Sequence, residues 1–216
     1  MTDVSVGRRS DVTGGISAEI ASAIQHPRPV TADPAPLGLG AFALTTFVLS
    51  MMNSGLVSDA GIPVVLGLAL AYGGAAQLLA GMWEFRTGNT FGATAFTSYG
   101  AFWISFFVFV TFFADKIPAA DTGHAVGLYL IAWGIFTAYM FIASLRTTTA
   151  IAIVFLLLTA TFIVLGMGDA SGTEGITKVG GWIGIATAVA AWYASFAVVT
   201  NSTFGRTVLP VRPLSR

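Results

Sequence analysis

Long apolar segments alternate with short polar ones along most of this chain. Between Pro34 and Thr207, six stretches carry no charged residue, and each is about as long as the roughly 20 helical residues that cross a bilayer. Lipid cannot hydrogen-bond an exposed backbone, so these stretches are expected to be helices. The pattern predicts an all-α, polytopic membrane protein with six transmembrane helices per protomer, at about 38–57, 60–83, 93–114, 125–145, 147–167 and 179–200.

The polar remainder defines the predicted organisation. Residues 1–32 mix Gly, Ser and Ala with polar residues and show no secretory-signal pattern, so we expect a disordered cytoplasmic N-terminal tail. Residues 33–204 form the predicted transmembrane domain, and 205–216 a cytoplasmic C-terminal tail. The loops are short, as at 144–149, and leave no room for an extramembrane domain. We therefore expect the function to take place within or across the bilayer.

Composition narrows the function classes. The chain is 55% hydrophobic and only 9% charged, against about 25% charged residues in soluble domains. The net charge is zero, whereas a nucleic-acid-binding protein usually carries an excess of positive charge, so no nucleic-acid partner is expected. There is no cysteine and there are two histidines, so we predict no metal site, no cofactor and no catalytic residues.

The distribution of cations predicts the topology. Six spans place both termini on one side, and that side holds eight arginines: Arg8, Arg9, Arg28, Arg86, Arg146, Arg206, Arg212 and Arg216. The opposite side holds Lys116 and Lys178. Positive residues favour the cytoplasmic side, so both termini are predicted to be cytoplasmic in a multi-pass protein of the plasma (cytoplasmic) membrane.

Polar residues recur at helical spacing within the spans. The first helix places Phe42, Thr46, Leu49 and Asn53 on one face. Stripes of small and hydroxyl residues usually serve helix packing. A buried amide such as Asn53 or Gln77 is as consistent with a water-filled pathway as with a hydrogen bond between packed helices. No charged residue lies in the middle of a span, so any pathway is predicted to be uncharged. Glu84 and Arg86, at the end of the second helix, are expected to be solvated or mutually paired.

Several motifs resemble one family. The segment Asp33-Pro34-Ala35-Pro36-Leu37-Gly38-Leu39 resembles the Asn-Pro-Ala-Pro-Leu-Gly-Leu signature of the acetate uptake transporter family, which includes bacterial succinate–acetate permeases and the yeast and fungal ammonia/acetate exporters. Further matches lie at 72–77, 88–103 and 204–210, so the resemblance covers about 33–210. Asp33 departs from the family pattern, which has asparagine there. A carboxylate accepts hydrogen bonds but donates none unless protonated.

The resemblance implies a homo-hexamer with one pathway through each protomer. It also implies passage of acetate, and in some members of succinate or other short carboxylates, usually coupled to protons. By motif position, the family's narrow hydrophobic constriction corresponds to Phe42, Tyr99 and Leu158. An apolar constriction of this kind blocks hydrated ions.

The two lines of reasoning combine into a hypothesis. Acetate is expected to hydrogen-bond in turn to Thr46, Asn53, Gln77 and Ser98, and to pass the constriction with help from the Tyr99 hydroxyl. A passive channel of the same fold for carboxylates or small neutral solutes is the alternative. A membrane sensor or scaffold without transport is a third reading. Acetate uptake with and without a pH gradient separates the three, whereas the preferred carboxylate and the direction of flux stay open.

Overall fold

The computed structural model describes residues 31–214, so most of the predicted N-terminal tail lies outside the described residues. Within them, six helices are long and apolar enough to cross a membrane, which confirms the predicted fold class. They are α1 (Ala35–Asn53), α2 (Asp59–Thr87), α3 (Thr90–Lys116), α4 (Ala119–Ser144), α5 (Thr149–Ser171) and α6 (Glu174–Phe204).

The helix limits differ from the prediction by a few residues, for local reasons. The first helix ends at Asn53 rather than near 57, because the chain turns at Gly55, whose φ is +77°. The second continues past the apolar stretch to Thr87 and ends at Gly88, with φ +79°. Glycine adopts this left-handed conformation without steric cost, so it commonly ends helices. Hydropathy marks the lipid-facing length of a helix, whereas these turns set its true end.

Two helices contain segments of wider π-helical winding. Ala71–Ala76 forms one inside α2, and Phe109–Phe113 forms another near the end of α3. In the first, Gly73 lies directly against the Thr45 side chain of α1, where an added Cβ would fall within 2.9 Å of three Thr45 atoms. The close contact between α1 and α2 therefore depends on glycine at this position.

The helices pack unevenly, and the uneven packing creates the space for a site. Helix α4 packs along α5, α5 along α6, and α6 along α1, while α2 packs along α3 and also touches α1. Helices α3 and α4 meet over a much shorter length. Aromatic side chains bridge them instead: the ring of Phe102 stacks on that of Tyr129 at 5.7 Å and meets that of Trp133 at 5.2 Å.

The outward faces are apolar, as a lipid environment requires. Large hydrophobic side chains lie exposed along several helices, among them Val64, Leu79, Trp83, Leu128, Ile135, Ile142, Trp182, Val189 and Phe196. The odd-numbered helices end, and the even-numbered helices begin, at one end of the bundle, which we call the Asn53 end. The opposite end is the Pro34 end.

The segment after α6 packs back onto the Pro34 end. The amide of Thr149 donates to the carbonyl of Arg212 (2.8 Å), and the amide of Leu214 donates to that of Thr147 (3.0 Å). The Asn201 amide group donates to the carbonyl of Leu209 at 2.8 Å. Val211 packs against a small buried apolar cluster of Leu39, Phe96, Ala150 and Ala194.

Candidate functional site

A cavity of about 710 Å³ extends from the Asn53 end of the bundle toward its middle. Its walls come mainly from α1, α3, α4 and α5, around the place where α3 and α4 separate. Most of the lining is apolar or aromatic, and the polar side chains that line it are Thr46, Ser50, Asn53, Ser105, Tyr129, Thr161, Asp169 and Thr177. Asp169 is the charged residue among these described lining residues. A mostly apolar cavity with few convergent polar groups is typical of small-molecule sites.

Two helix faces define the depth of the cavity. On α1, the lining residues run from Phe42 through Thr46 to Asn53, and on α5 from Leu158 through Leu165 to Asp169. The spacing of three or four residues keeps each set on one helix face. Phe42 to Asn53 and Leu158 to Asp169 are both eleven positions apart, or about 16 Å along the helix axis at 1.5 Å per residue. Asn53 and Asp169 therefore mark the mouth, and Phe42 and Leu158 the deep end.

The three predicted constriction residues meet at this deep end. Phe42, Tyr99 and Leu158 are 4%, 3% and 3% exposed, and they belong to one buried apolar cluster. The Phe42 and Tyr99 rings are 5.9 Å apart. Tyr99 also stacks on Phe162 at 6.5 Å and approaches Phe155 at 6.1 Å. The site thus narrows to a closely packed apolar waist, defined here as Phe42, Tyr99 and Leu158.

The Tyr99 hydroxyl forms a hydrogen bond to α4, so it is not free to bind a solute that passes the waist. It lies 2.9 Å from the Thr137 hydroxyl on α4. Thr137 donates its own hydrogen to the carbonyl of Trp133 at 2.7 Å. Since a threonine hydroxyl has one hydrogen, Tyr99 is the donor in the bond with Thr137. The hydroxyl is thereby anchored to α4, and the aromatic ring is the part of Tyr99 that contacts the waist.

Two buried polar atoms without partners lie one helical turn from the waist, on the cavity side. The Thr46 hydroxyl follows Phe42 by four residues, and the Trp103 indole N–H follows Tyr99 by four. Both side chains line the cavity, and neither polar atom has a hydrogen-bond partner in the described structure. A buried donor without a partner costs free energy unless water or a ligand satisfies it. Both atoms are buried in this structure, so a solute would accept from either one only after neighbouring side chains move.

The predicted binding residues separate into two groups. Thr46 and Asn53 line the cavity. Gln77 does not: it lies between helices, 1% exposed, with its side-chain oxygen unpartnered. Ser98 lines a separate, shallower pocket of about 260 Å³ beside Trp133 and Phe136. The structure therefore does not bring Gln77 and Ser98 to the same site as Thr46 and Asn53.

Sequence reasoning missed several residues of the cavity, among them Trp103 and Asp169. Trp103 lies within a family motif, and its spacing of four from Tyr99 places it on the same helix face. Asp169 lies beyond the fifth predicted span, 147–167, whereas α5 continues to Ser171 and carries it on the cavity-lining face.

The expectation for Glu84 was wrong. Its side chain is 1% exposed and packs against Gly92 of α3, because the absence of a side chain there leaves room for the carboxylate. One carboxylate oxygen accepts from Thr87 at 3.1 Å, and the other has no partner. The ion pair found in residues 31–214 is Lys178–Glu174 at 2.7 Å, so Arg86 does not pair with Glu84.

The family-motif residues lie at the Pro34 end and have packing roles. The Asp33 carboxylate accepts from the amide of Ala35 at 2.9 Å, which tethers the start of α1. The carbonyl of Pro36 accepts from Ser195 of α6 at 2.7 Å. Gly38 lies against the ring of Phe96, where an added Cβ would come within 2.6 Å. Since the Oδ1 of asparagine also accepts hydrogen bonds, this contact is open to asparagine as well as to aspartate.

Residues 31–214 contain no group of three or more His, Asp or Glu side chains able to hold a metal ion. The chemistry of the cavity is thus that of hydroxyl, amide and indole donors, aromatic rings and one carboxylate.

Comparisons with known proteins place this geometry in context. Residues 16–216 match the model of the GPR1/FUN34/yaaH family. Acetate permease A of Emericella nidulans is 44% identical over 83% of this chain and 65% of its own length. The succinate-acetate/proton symporter SatP of Escherichia coli K12 is 41% identical over 83% of this chain and 95% of its own length. The chain thus spans slightly less than two thirds of the fungal relative.

A solved structure is also similar. The structure of the bacterial acetate channel SatP superposes with a TM-score of 0.79 and 40% identity, over 84% of this chain and 99% of that one. The names of these relatives describe transport or a channel rather than catalysis.

Proposed function

The chain belongs to the GPR1/FUN34/yaaH family, and on that premise we propose that it carries acetate across the membrane through the cavity and its waist. Succinate and other short carboxylates are further substrates in this proposal. Transport is coupled to protons and takes place in the plasma membrane, with both termini cytoplasmic. The protein forms a homo-hexamer with one pathway in each protomer. The chain is not an enzyme, because its family and its relatives are those of transporters and channels.

The observation that carries the proposal is the pair of unpartnered donors above the waist. Acetate has an apolar methyl group and two acceptor oxygens. The hydroxyl of Thr46 and the indole N–H of Trp103 suit the oxygens, while the rings of Phe42 and Phe102 suit the methyl group. Both a carboxylate and an undissociated carboxyl group have an oxygen that accepts hydrogen bonds, so the two donors suit either form. The arrangement therefore favours a small carboxylate over a hydrated inorganic ion.

The waist then acts as the barrier between the two sides. Its packed rings exclude water and hydrated ions, and a solute passes when the Phe42 side chain moves or the solute sheds its water. Below the waist, the Pro34 end is packed with the apolar cluster that contains Leu39 and Phe96. Passage of a solute thus requires side chains at the Pro34 end to move as well, as expected for gated transport.

A passive channel is the second candidate, and one observation favours it. Apart from Asp169, the described residues that line the cavity carry no charge, so few groups are available to couple a proton to the solute. The names of two similar proteins differ in the same way, one a symporter and the other a channel.

The test is uptake of radiolabelled acetate into proteoliposomes, with and without an imposed pH gradient and with protein-free liposomes as the background. Accumulation above equilibrium supports proton coupling. Equal concentrations of acetate inside and outside, without accumulation even under a pH gradient, support the channel. Absence of protein-dependent flux for every short carboxylate tested would overturn both. Native mass spectrometry of the purified protein tests the hexamer separately.

A further inference from the structure

The mouth of the cavity combines an amide and an unpaired carboxylate at one level. We propose that Asp169 and Asn53 form a docking site for an undissociated carboxylic acid, so that acid and proton enter together. In this site the bound acid and Asp169 share one proton. The inference rests on the proposed function and assigns its entry site and the form of the substrate that is admitted.

The position of Asp169 follows from the helix face that carries it. Leu158, Leu165 and Asp169 all belong to the cavity-lining face of α5, and Asp169 is the outermost. Asn53 is the outermost cavity residue of α1. Both lie eleven residues beyond a waist residue on helices that run in the same direction, so they stand at the same depth. Both line the mouth through which a solute enters the cavity.

No cation neutralises this carboxylate in the described structure. The helices packed against α5 are α4 and α6. At the Asn53 end, α4 carries Asp121 and His124, both exposed, and α6 carries Glu174 and Lys178. Lys178 is held by Glu174 at 2.7 Å and is thus already paired. On α3, the Lys116 ammonium lies 4.8 Å from the centroid of the Phe113 ring, which lines the cavity, but it forms no ion pair with Asp169. Asp169 therefore has no direct cationic partner in the described residues.

This charge selects the form of the substrate. An acetate anion entering the mouth meets a like charge in surroundings of low polarity, where repulsion is poorly screened. An undissociated acid meets a complementary site: its O–H donates to the Asp169 carboxylate, and its carbonyl accepts from the Asn53 amide. Two carboxyl groups in contact hold one proton between them, because both cannot be ionised at once. When the acid moves toward the waist it takes the proton, and Asp169 is left ionised.

The experiment is exchange of radiolabelled acetate in proteoliposomes, at equal pH on both sides, from pH 6 to pH 8, after subtraction of protein-free liposomes. For the wild type we expect exchange to fall about tenfold per pH unit, as expected when one proton accompanies each acid. Asp169→Asn removes the charge and admits the anion, so its exchange should be nearly independent of pH and at least about tenfold faster at pH 8. Asp169→Glu keeps the charge and should keep the wild-type slope.

A gain-of-charge variant keeps the inference testable if Asp169→Asn does not fold. Asn53→Asp places a second carboxylate at the mouth, so its exchange should be slower than wild type at pH 8 and approach wild type at pH 6. Two control variants remove neighbouring titratable groups that do not line the cavity. Asp121→Asn and His124→Gln should both retain the wild-type slope.

The outcomes separate this inference from the proposed function. If the wild type exchanges acetate but Asp169→Asn or Asn53→Asp reproduces its pH profile, the docking site is wrong and transport stands. If His124→Gln flattens the profile, the proton is bound by His124, and the inference is also overturned. If the folded wild type shows no protein-dependent exchange at any pH, the proposed function itself fails.

Discussion

The rings of Phe42 and Tyr99 lie 5.9 Å apart, centroid to centroid, and are inclined to one another by 47°. They join α1 to α3 at the depth where the cavity ends. Both are almost fully buried, and Leu158 from α5 completes the contact. Three helices thus contribute one side chain each to the waist.

The first prediction concerns the size limit that Phe42 sets. Phe42→Ala removes a ring from the waist and leaves a void that its neighbours fill only partly. We expect the ratio of butyrate to acetate uptake to rise about tenfold, because the wider waist admits longer chains. Competition of unlabelled butyrate against radiolabelled acetate in proteoliposomes measures this ratio. The double variant Phe42→Ala/Tyr99→Ala should relax selectivity further.

Phe47→Ala is the matched control, on the same helix. Its ring stacks against Trp192 at 5.0 Å and does not line the cavity. It should lower thermal stability in detergent without changing the butyrate-to-acetate ratio. Unaltered acetate uptake and selectivity in a well-expressed Phe42→Ala/Tyr99→Ala protein would argue that the waist is not the barrier.

The second prediction concerns the two unpartnered donors. Thr46→Val and Trp103→Phe keep much of the shape of each side chain and remove the hydroxyl or the N–H. A hydrogen bond contributes about 0.5–1.5 kcal/mol, and more when one partner is charged, so each variant should raise the KM for acetate by about twofold to tenfold. Neither should reduce stability, because neither donor has a partner in the protein to lose.

The neighbouring threonine provides the control for this measurement. Thr45 is fully buried, its hydroxyl donates to the carbonyl of Ala41 at 3.0 Å, and it does not line the cavity. Thr45→Val should leave the KM unchanged. Equal effects of Thr45→Val and Thr46→Val on the KM would contradict a direct contact between Thr46 and the substrate.

The third prediction separates the ring of Tyr99 from its hydroxyl. Tyr99→Phe keeps the waist closed but removes the donor to Thr137. We expect acetate flux within about twofold of wild type and a loss of stability of about 0.5–1.5 kcal/mol, the usual contribution of one hydrogen bond. Flux assays and thermal unfolding in detergent measure the two. Loss of transport in a folded Tyr99→Phe protein would contradict this prediction and indicate that the hydroxyl contacts the substrate.

The fourth prediction addresses Asp33, where the family pattern has asparagine. The contact that its side chain makes is acceptance from the Ala35 amide. Asp33→Asn should therefore leave thermal stability and transport unchanged, whereas Asp33→Ala should cost about 0.5 kcal/mol, the lower end for one hydrogen bond, because this contact is exposed. A large change in transport for Asp33→Asn, with stability intact, would mean that the charge itself matters.

The number and type of the helices could be predicted from the sequence because lipid imposes them. A charge-free stretch of membrane length has few other structures open to it, so all six predicted spans are helices in the structure. Their ends could not be placed as well. Glu84 and Asp169 are charged, and hydropathy therefore assigns them to the polar rims, although both belong to continuous helices.

The candidate site was predictable only in part. Phe42, Thr46 and Asn53 share a helix face, so their common position on one wall follows from spacing alone. Gln77 has the same polar character as Asn53, yet it packs between helices away from the cavity. Periodicity tells which residues share a face, but it does not tell which neighbour that face meets.

What the sequence determined by itself was the helical, membrane-spanning class, the six spans, and through its motifs the family. Those properties depend on local composition and on the order of the residues, and both are present in the chain before it folds. The tertiary structure decided where the cavity lies, that Tyr99 donates its hydroxyl to Thr137, and that Asp169 and Asn53 both line the mouth. These depend on how helices distant in sequence pack, because α3 separates from α4 while α5 packs along α6 and α6 along α1.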